Sequence, residues 1–549
     1  MKYSINKVSL LLVVNVIAYT VSVTTVTGHE STRFAYESSL LMAGNAVGTS
    51  PCLLADASLC ETTITLQDSE TGESVPGLVR IVAKDGCHVP LETLFSRGTK
   101  LAKDHEAQSW FTVTEPARIS VPESVITIEA FSGLETEITR QTVDLRKQCG
   151  KEITISLRRF YDAGKSNWYS GNTHLHIRGL TRQESDRYLT TIPKADDVDL
   201  VFVTYLERQG DDKTYISNEY SASSIHTLES PNLDFGWGQE LRHYFGPGGE
   251  GYGHVLLLNL QELVWPVSIG PGLMGEGDDG IPLYQGMSEA RAQGGSAIWC
   301  HNAFGFEDIP SWLSGILDAQ NIFDGGGKDR YEDTFYRYLN IGLRVPFSTG
   351  TDWFMYDFSR VYVQSPYQPS VNEWLTVLSE GRSFITNGTF LELEVGSSLP
   401  GDVIQLQKPT RLPIAVMGIG RKDFGVLELV HNGEVIQQVK TRQVAGHYEA
   451  NLNVTKLVEE SGWLTARISG GAKNEMGVEL FAHTSPVYVE FAGRDIFDPV
   501  TAEQLIEEME LAIEVIPTKA VFQDQTQWQS IRQIYDRGIK HLRVRLENQ

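Results

Sequence analysis

The sequence predicts an α/β protein whose barrel-like centre is flanked by two β-sandwiches and followed by a helical tail. Three observations carry that prediction. From about residue 166 to 390, apolar runs suited to strands buried on both faces lie between helix-patterned segments. Before and after that region, short alternating segments recur between Gly- and Pro-containing turns. Two amphipathic stretches then close the chain.

Taken in order, the chain opens with a processing signal. Lys2 and Lys7 precede an apolar core from about Val8 to Val23, and small residues follow at Val26-Thr27-Gly28. Asn15, Tyr19 and Thr20 interrupt the core, which makes it a poor membrane anchor. Cleavage after Gly28 removes two lysines and no acid, leaving a chain even more negative than its formal −24. Residues 1–28 are thus read as a signal peptide and 29–59 as a lead-in, and the mature protein as secreted or periplasmic, with no membrane insertion. The acidic balance argues against a nucleic-acid backbone or an anionic bilayer as partner. A small-molecule substrate is the expected partner, and the oligomeric state is not legible.

Residues 60–160 carry the first predicted sandwich, through Thr63–Gln67, Leu78–Val82, Ser109–Val113, Val125–Ala130 and Glu152–Leu157. This texture resembles the prealbumin-like and carboxypeptidase-regulatory modules of secreted proteins. Four of the five cysteines, Cys52, Cys60, Cys87 and Cys149, fall before residue 150. Export permits disulfides; Cys52 can pair with Cys60 and Cys87 with Cys149, but spacing does not decide connectivity.

The centre, 166–390, holds buried-strand runs at Val198–Val203, Val255–Leu258 and Ser296–Cys300, with helices predicted over Gly286–Gln293, Tyr331–Leu339 and Val371–Glu380. Ser370 and Glu373 have capping-box spacing, and Gly381 stops that last helix. Alternation returns over 391–495, at Leu391–Val395, Leu412–Val416, Val426–Val430, Leu464–Ile468 and Val487–Phe491, with Asn432-Gly433 as a hairpin turn. Residues 496–549 predict two helices. The first starts at Thr501 with Gln504 as its capping partner, and the second carries Trp528, Ile531 and Tyr535.

Chemistry gathers around Trp168-Tyr-Ser-Gly-Asn-Thr-His174-Leu-His176. Histidines at i and i+2 of a strand share a face, so both imidazoles can meet one point. With 13 His in the chain, chance supplies on the order of 0.3 such pairs, so the pair needs partners elsewhere. A parallel barrel would bring partners to the C-terminal ends of its strands. Candidates are Glu240, His254 before its apolar run, His301 ending Ala297–His301, and Asp352 in Ser348-Thr-Gly-Thr-Asp352. Arg178, Tyr205, Glu207, His243 and Asn302 are supporting candidates, with Arg178 or His243 placed to neutralise an oxyanion. Cys300 reads as an apolar filler rather than a nucleophile, and Asp357 as a solvated loop acid. Asn387-Gly-Thr389 and Asn453-Val-Thr455 are glycosylation acceptor sequences.

That series, with Gly381–Gly388 and Pro400-Gly-Asp402, resembles the PHP-domain metallohydrolases, and within them the carbaryl-hydrolase-like (CehA/McbA) branch. The resemblance covers roughly 166 to 405. It implies a PHP-type distorted (β/α)7 barrel with metals at its C-terminal mouth. His174, His176 and Asp352 would hold one ion and His254 and His301 a second, with Glu240 bridging. The chain departs from trinuclear members at Thr204-Tyr205-Leu206, at Asp352-Trp353-Phe354 and near Arg182, so the resemblance implies two ions. Imidazole with carboxylate suits Zn, Mn or Fe.

The expected activity is metal-dependent hydrolysis of an ester, amide or carbamate bond, using water activated by the ions and with Glu240 at the reacting centre. A metallophosphoesterase is the first alternative. The other is a non-catalytic exported binding or scaffold protein that keeps the barrel.

Overall fold

The computed structural model describes residues 51–52, 58–211, 214–246, 251–302, 305–326 and 329–548. The signal peptide and most of the lead-in read from the sequence lie outside them. Among the described residues no helix is long and apolar enough to cross a membrane.

In the N-terminal part, Leu59–Asp68 pairs antiparallel with Ala117–Pro122 and parallel with Ile153–Leu157. A second sheet runs in the order Phe95–Ser96, Phe111–Val113, Gly77–Ala83, Val125–Phe131, Thr139–Asp144. Alternation decides which side chains go inward: Ile64 and Leu66 from the first sheet meet Val79, Ile81, Ile126 and Ile128 from the second in one core. Disulfides Cys52–Cys87 and Cys60–Cys149 fasten this part. They cross the two pairings considered from spacing alone, and they suit an oxidising compartment.

The predicted (β/α)7 barrel is not what the chain forms. Strand outweighs helix, 37% to 25%, and the site is carried by one large curled sheet of mixed direction. Trp168–His176, Leu200–Tyr205 and Asp234–His243 run parallel. Gly253–Leu258 then lies antiparallel between Asp234–His243 and Ser296–Trp299. Ala319–Asn321 and Phe347–Ser348 continue parallel to Ser296–Trp299. On its other edge Trp168–His176 pairs parallel with Asp352–Trp353 and antiparallel with Arg360–Gln364. Continuous apolar runs mark strands covered on both faces; they carry no information on strand direction, and that is where the prediction failed.

The second predicted sandwich is not separate from the centre either. Ser383–Thr386 pairs with Arg360–Gln364 and with Ala482–Thr484, which draws Gly462–Ser469, Val426–His431 and Val487–Phe491 into the same sheet. Only Thr389–Val395, Thr410–Gly420, His447–Val458 and Arg442–Val444 make a sheet of their own.

Helices cover the curled sheet. Arg182–Ala195 starts in a capping box of Thr181 and Glu184, and Val371–Ser379 in one of Ser370 and Glu373. The segment predicted as one helix from Tyr331 is a π-helical turn over Glu332–Tyr336 that continues as α-helix through Arg337–Asn340. The tail helices are Pro499–Lys519 and Gln525–Glu547. Asp498 caps the first, accepting from the amides of Val500 and Thr501, and Pro499 supplies its first residue in place of the predicted start at Thr501. Their apolar sides, with Leu505, Met509, Ile531 and Tyr535, join the main core.

Candidate metal centre

The histidine strand owes its position to one close approach and to the hydrogen bonds of Asn172. A Cβ on Gly350 would stand 2.6 Å from the His174 Cβ and 2.7 Å from its backbone nitrogen, so only glycine lets the Ser348–Asp352 segment lie against the strand. Asn172 ties the two together. Its Oδ1 accepts from the amides of His174 and Thr351, both at 3.2 Å, and its Nδ2 donates to Thr351 Oγ1 at 2.7 Å. Asp352 and His301 both sit in the left-handed region, at φ 57° and 58°. Non-glycine residues there are held by surrounding structure, and such strain gathers at functional sites.

All six residues proposed as ligands converge, and all are buried. His174 Nε2 is 3.0 Å from His176 Nε2, which is 3.1 Å from Glu240 Oε2. The other Glu240 oxygen, Oε1, is 2.7 Å from His254 Nδ1 and 3.3 Å from His301 Nε2. Asp352 Oδ1 stands 3.5 Å from His174 Nε2 and 3.7 Å from His176 Nε2, while its Oδ2 is 4.0 Å from His301 Nε2. His254 reaches this point because its strand runs backwards. Its N-terminal end falls at the rim where the parallel neighbours end, as the pairing of Arg242 with His254 requires.

These separations fit metal binding. Two ligands each about 2.1 Å from one ion lie roughly 3.0–3.4 Å apart. The His174–His176, His176–Glu240 and Glu240–His301 separations fall in that range, with His254 nearer to Glu240 at 2.7 Å and Asp352 farther from its neighbours at 3.5 to 4.0 Å. His174, His176 and Glu240 form one group able to hold an ion, and Glu240, His254 and His301 another. Glu240 belongs to both, one oxygen toward each histidine pair.

The protonation balance follows from this crowding. Burial alone would raise the Glu240 carboxyl, but His254, His176 and His301 together hold it well below the usual range. Burial carries the His254 imidazole down to about 4 against the pull of Glu240. For His301, burial is outweighed by Asp324, Glu240 and Asp352, which raise it well above 6.5. Burial lifts Asp352 to about 6, with His174 and His301 opposing.

One residue of the cluster escaped the sequence reading. Asp324 is fully buried, its Oδ2 2.9 Å from His174 Nδ1 and its Oδ1 3.3 Å from His301 Nδ1. A carboxylate on the far nitrogen of an imidazole fixes tautomer and ring orientation and raises ligand basicity. Asp324 follows the strand Ala319–Asn321, and that strand has only three residues, too few for alternation to announce it. His176 is oriented the same way by the Thr204 carbonyl, 3.0 Å from its Nδ1.

The supporting candidates divide. Arg178 is half-buried at the rim, its guanidinium 4.6 Å over the Trp353 ring, which in turn packs 5.1 Å from the His176 ring. His243 lies on the opposite face of its strand from Glu240. Its Nε2 is 2.8 Å from Asp279 Oδ1, its Nδ1 accepts from the Tyr252 amide, and its ring stacks on Tyr252. It is removed from the cluster, so the oxyanion role considered for it has no geometric basis. Asn302 Oδ1 accepts from the Phe323 amide at 2.9 Å, and Tyr205 donates to Glu207 at 3.2 Å.

Cys300 is buried beside His301, and burial pushes its thiol well above 9, which leaves it protonated rather than nucleophilic. Asp357 is not a solvated acid. It is fully buried, accepts from the Ser359 amide, and takes a 3.1 Å hydrogen bond from Asn387 Nδ2. Asn387 is itself buried, leaving Asn453 as the exposed one of the two predicted glycosylation acceptors.

Comparison with protein-family models, with curated proteins and with solved structures returned no match.

Proposed function

We propose that this protein is an exported metal-dependent hydrolase that cleaves an ester, amide or carbamate bond at a site for two divalent ions, Zn, Mn or Fe. The observation that carries the reading is the division of Glu240, with Oε2 against His176 and Oε1 against His254 and His301. In this reading His174, His176 and Asp352 would hold one ion and His254 and His301 the other, with Glu240 contributing to both. Such ions supply Lewis acidity and lower the pKa of bound water.

The chain's own residues do the rest. Asp324 and the Thr204 carbonyl set the histidine tautomers, and the walls of the cluster exclude bulk water, which strengthens every charge inside. His301 and Asp352 form the least covered side of the set, so substrate approaches across them. The order and contexts of the ligands support the likeness to PHP-domain metallohydrolases. The two disulfides and the positively charged, apolar N-terminus support export.

The test is metal analysis of the purified protein, paired with turnover of aryl esters, carbamates and nitrophenyl phosphates. Bound divalent metal with hydrolysis of one class is expected. A chain that binds no divalent metal under any loading condition sinks the reading.

A further inference from the structure

We propose that the mouth of this site recognises an anionic group on the substrate, a carboxylate or a phosphate, through Arg178 and Arg242. The inference rests on the hydrolase reading and narrows its substrate class.

Side chains on a strand return to the same face every two residues. Arg242 stands two residues beyond Glu240, and Arg178 two residues beyond His176. The strands that carry those ligands, Asp234–His243 and Trp168–His176, both run parallel to Leu200–Tyr205 between them. The Arg242 guanidinium therefore belongs one pleat step beyond a ligand, while Arg178, just past the end of its strand, lies over the Trp353 ring that packs against His176.

Arg242 is buried and ion-paired with Glu240, its Nη1 3.8 Å from Oε2, and its strand partner is His254. Arg178 is held at the rim by a backbone bridge to Tyr215 and by the Trp353 face, and it forms no ion pair among the described residues.

A guanidinium stays charged at any working pH and offers a planar fork of N–H groups that matches carboxylate and phosphate oxygens. Fixed cations beside a pair of divalent ions repel them in a buried, low-dielectric site. An anion entering between ions and arginines converts that repulsion into attraction. A neutral substrate leaves it standing.

The experiment titrates the metal-loaded protein with inorganic phosphate, benzoate and uncharged benzamide by calorimetry, with metal content measured on each sample. Expected is binding of at least one anion ten-fold or more tighter than benzamide. Arg178→Met should weaken that anion by ten-fold or more at unchanged metal content, with Arg178→Lys intermediate, and Arg242→Met should weaken it at least as much. The tighter of phosphate and benzoate names the group.

Benzamide binding as tightly as both anions overturns the proposal, and so does full anion affinity in Arg178→Met. If Arg242→Met sheds metal or does not fold, Arg178→Met alone decides. A wild-type chain that takes up no metal overturns the hydrolase reading as well, whereas metal uptake without anion discrimination overturns only this inference.

Discussion

Arg97 and Asp196 form an ion pair sealed from solvent, Nη2 to Oδ2 at 2.7 Å, where the N-terminal sheets meet the site-bearing sheet. Asp196 caps the C-terminus of helix Arg182–Ala195. The same guanidinium donates to the carbonyls of Met355 and Asp357, on the turn that leaves Asp352. One side chain thus joins the N-terminal module to the segment that presents a proposed metal ligand.

Breaking that pair strands a charge. Arg97→Met leaves the Asp196 carboxyl buried without its partner and should destabilise the protein by about 3–5 kcal/mol. Urea unfolding measures it, and adding Asp196→Asn should return part of the loss. A single variant as stable as wild type would show that the pair contributes nothing.

Glu240 and His254 should separate the two ions. Glu240→Ala removes a ligand common to both groups and should lose all metal and turnover, whereas His174→Ala removes one of the paired imidazoles and should lose turnover together with the ion of its own group. His254→Ala should keep roughly one ion per chain, because His174, His176, Asp352 and Glu240 all remain around the other position. Elemental analysis reads the difference; equal metal in wild type and Glu240→Ala would falsify the bridging assignment.

On the proposed reading, Asp324 acts through His174 and His301, whose Nδ1 atoms it faces, rather than on substrate. Asp324→Asn keeps size and one hydrogen bond but removes the charge that orients both rings. A fall in metal affinity of about 10–100-fold is expected, short of abolition. Competition with a chromophoric chelator measures it, and unchanged affinity would remove Asp324 from the site.

Glu307 gives a pH dependence away from the metal cluster. Burial raises its carboxyl to about 8, although it accepts from the amides of Leu283 and Tyr284. A raised folded value means the native state binds the proton more tightly than the unfolded chain, whose glutamate titrates near 4.5. Its contribution is fully present below about 4.5 and is lost as pH rises toward 8. Glu307→Gln should flatten the decline in unfolding midpoint between pH 5 and 8. An identical slope in the variant would exclude Glu307 as its source.

The disulfides close loops with separations of 35 and 89 residues. Chain entropy assigns them roughly 4 and 5 kcal/mol respectively. Peptide mapping without reduction should recover Cys52 with Cys87 and Cys60 with Cys149, and reduction should lower the melting temperature of the N-terminal part first.

The sequence by itself determined the chemistry on offer. A same-face pair of histidines is set by the period of a strand, and Glu240, His254, His301 and Asp352 each sit beside a turn or at the end of an apolar run, where that type of residue stands out. Helix Val371–Ser379 was equally legible, because its capping box and its stop are local.

Tertiary structure alone decided the direction of Gly253–Leu258, the merging of the C-terminal strands into the central sheet, the crossed disulfides, and the arrival of Asp324 between His174 and His301. It also turned His243 away from the cluster to hold Asp279. The physical reason is the same in each case. Burial pattern along a chain reports whether a residue is covered, while strand direction, register and long-range pairing depend on which partner covers it.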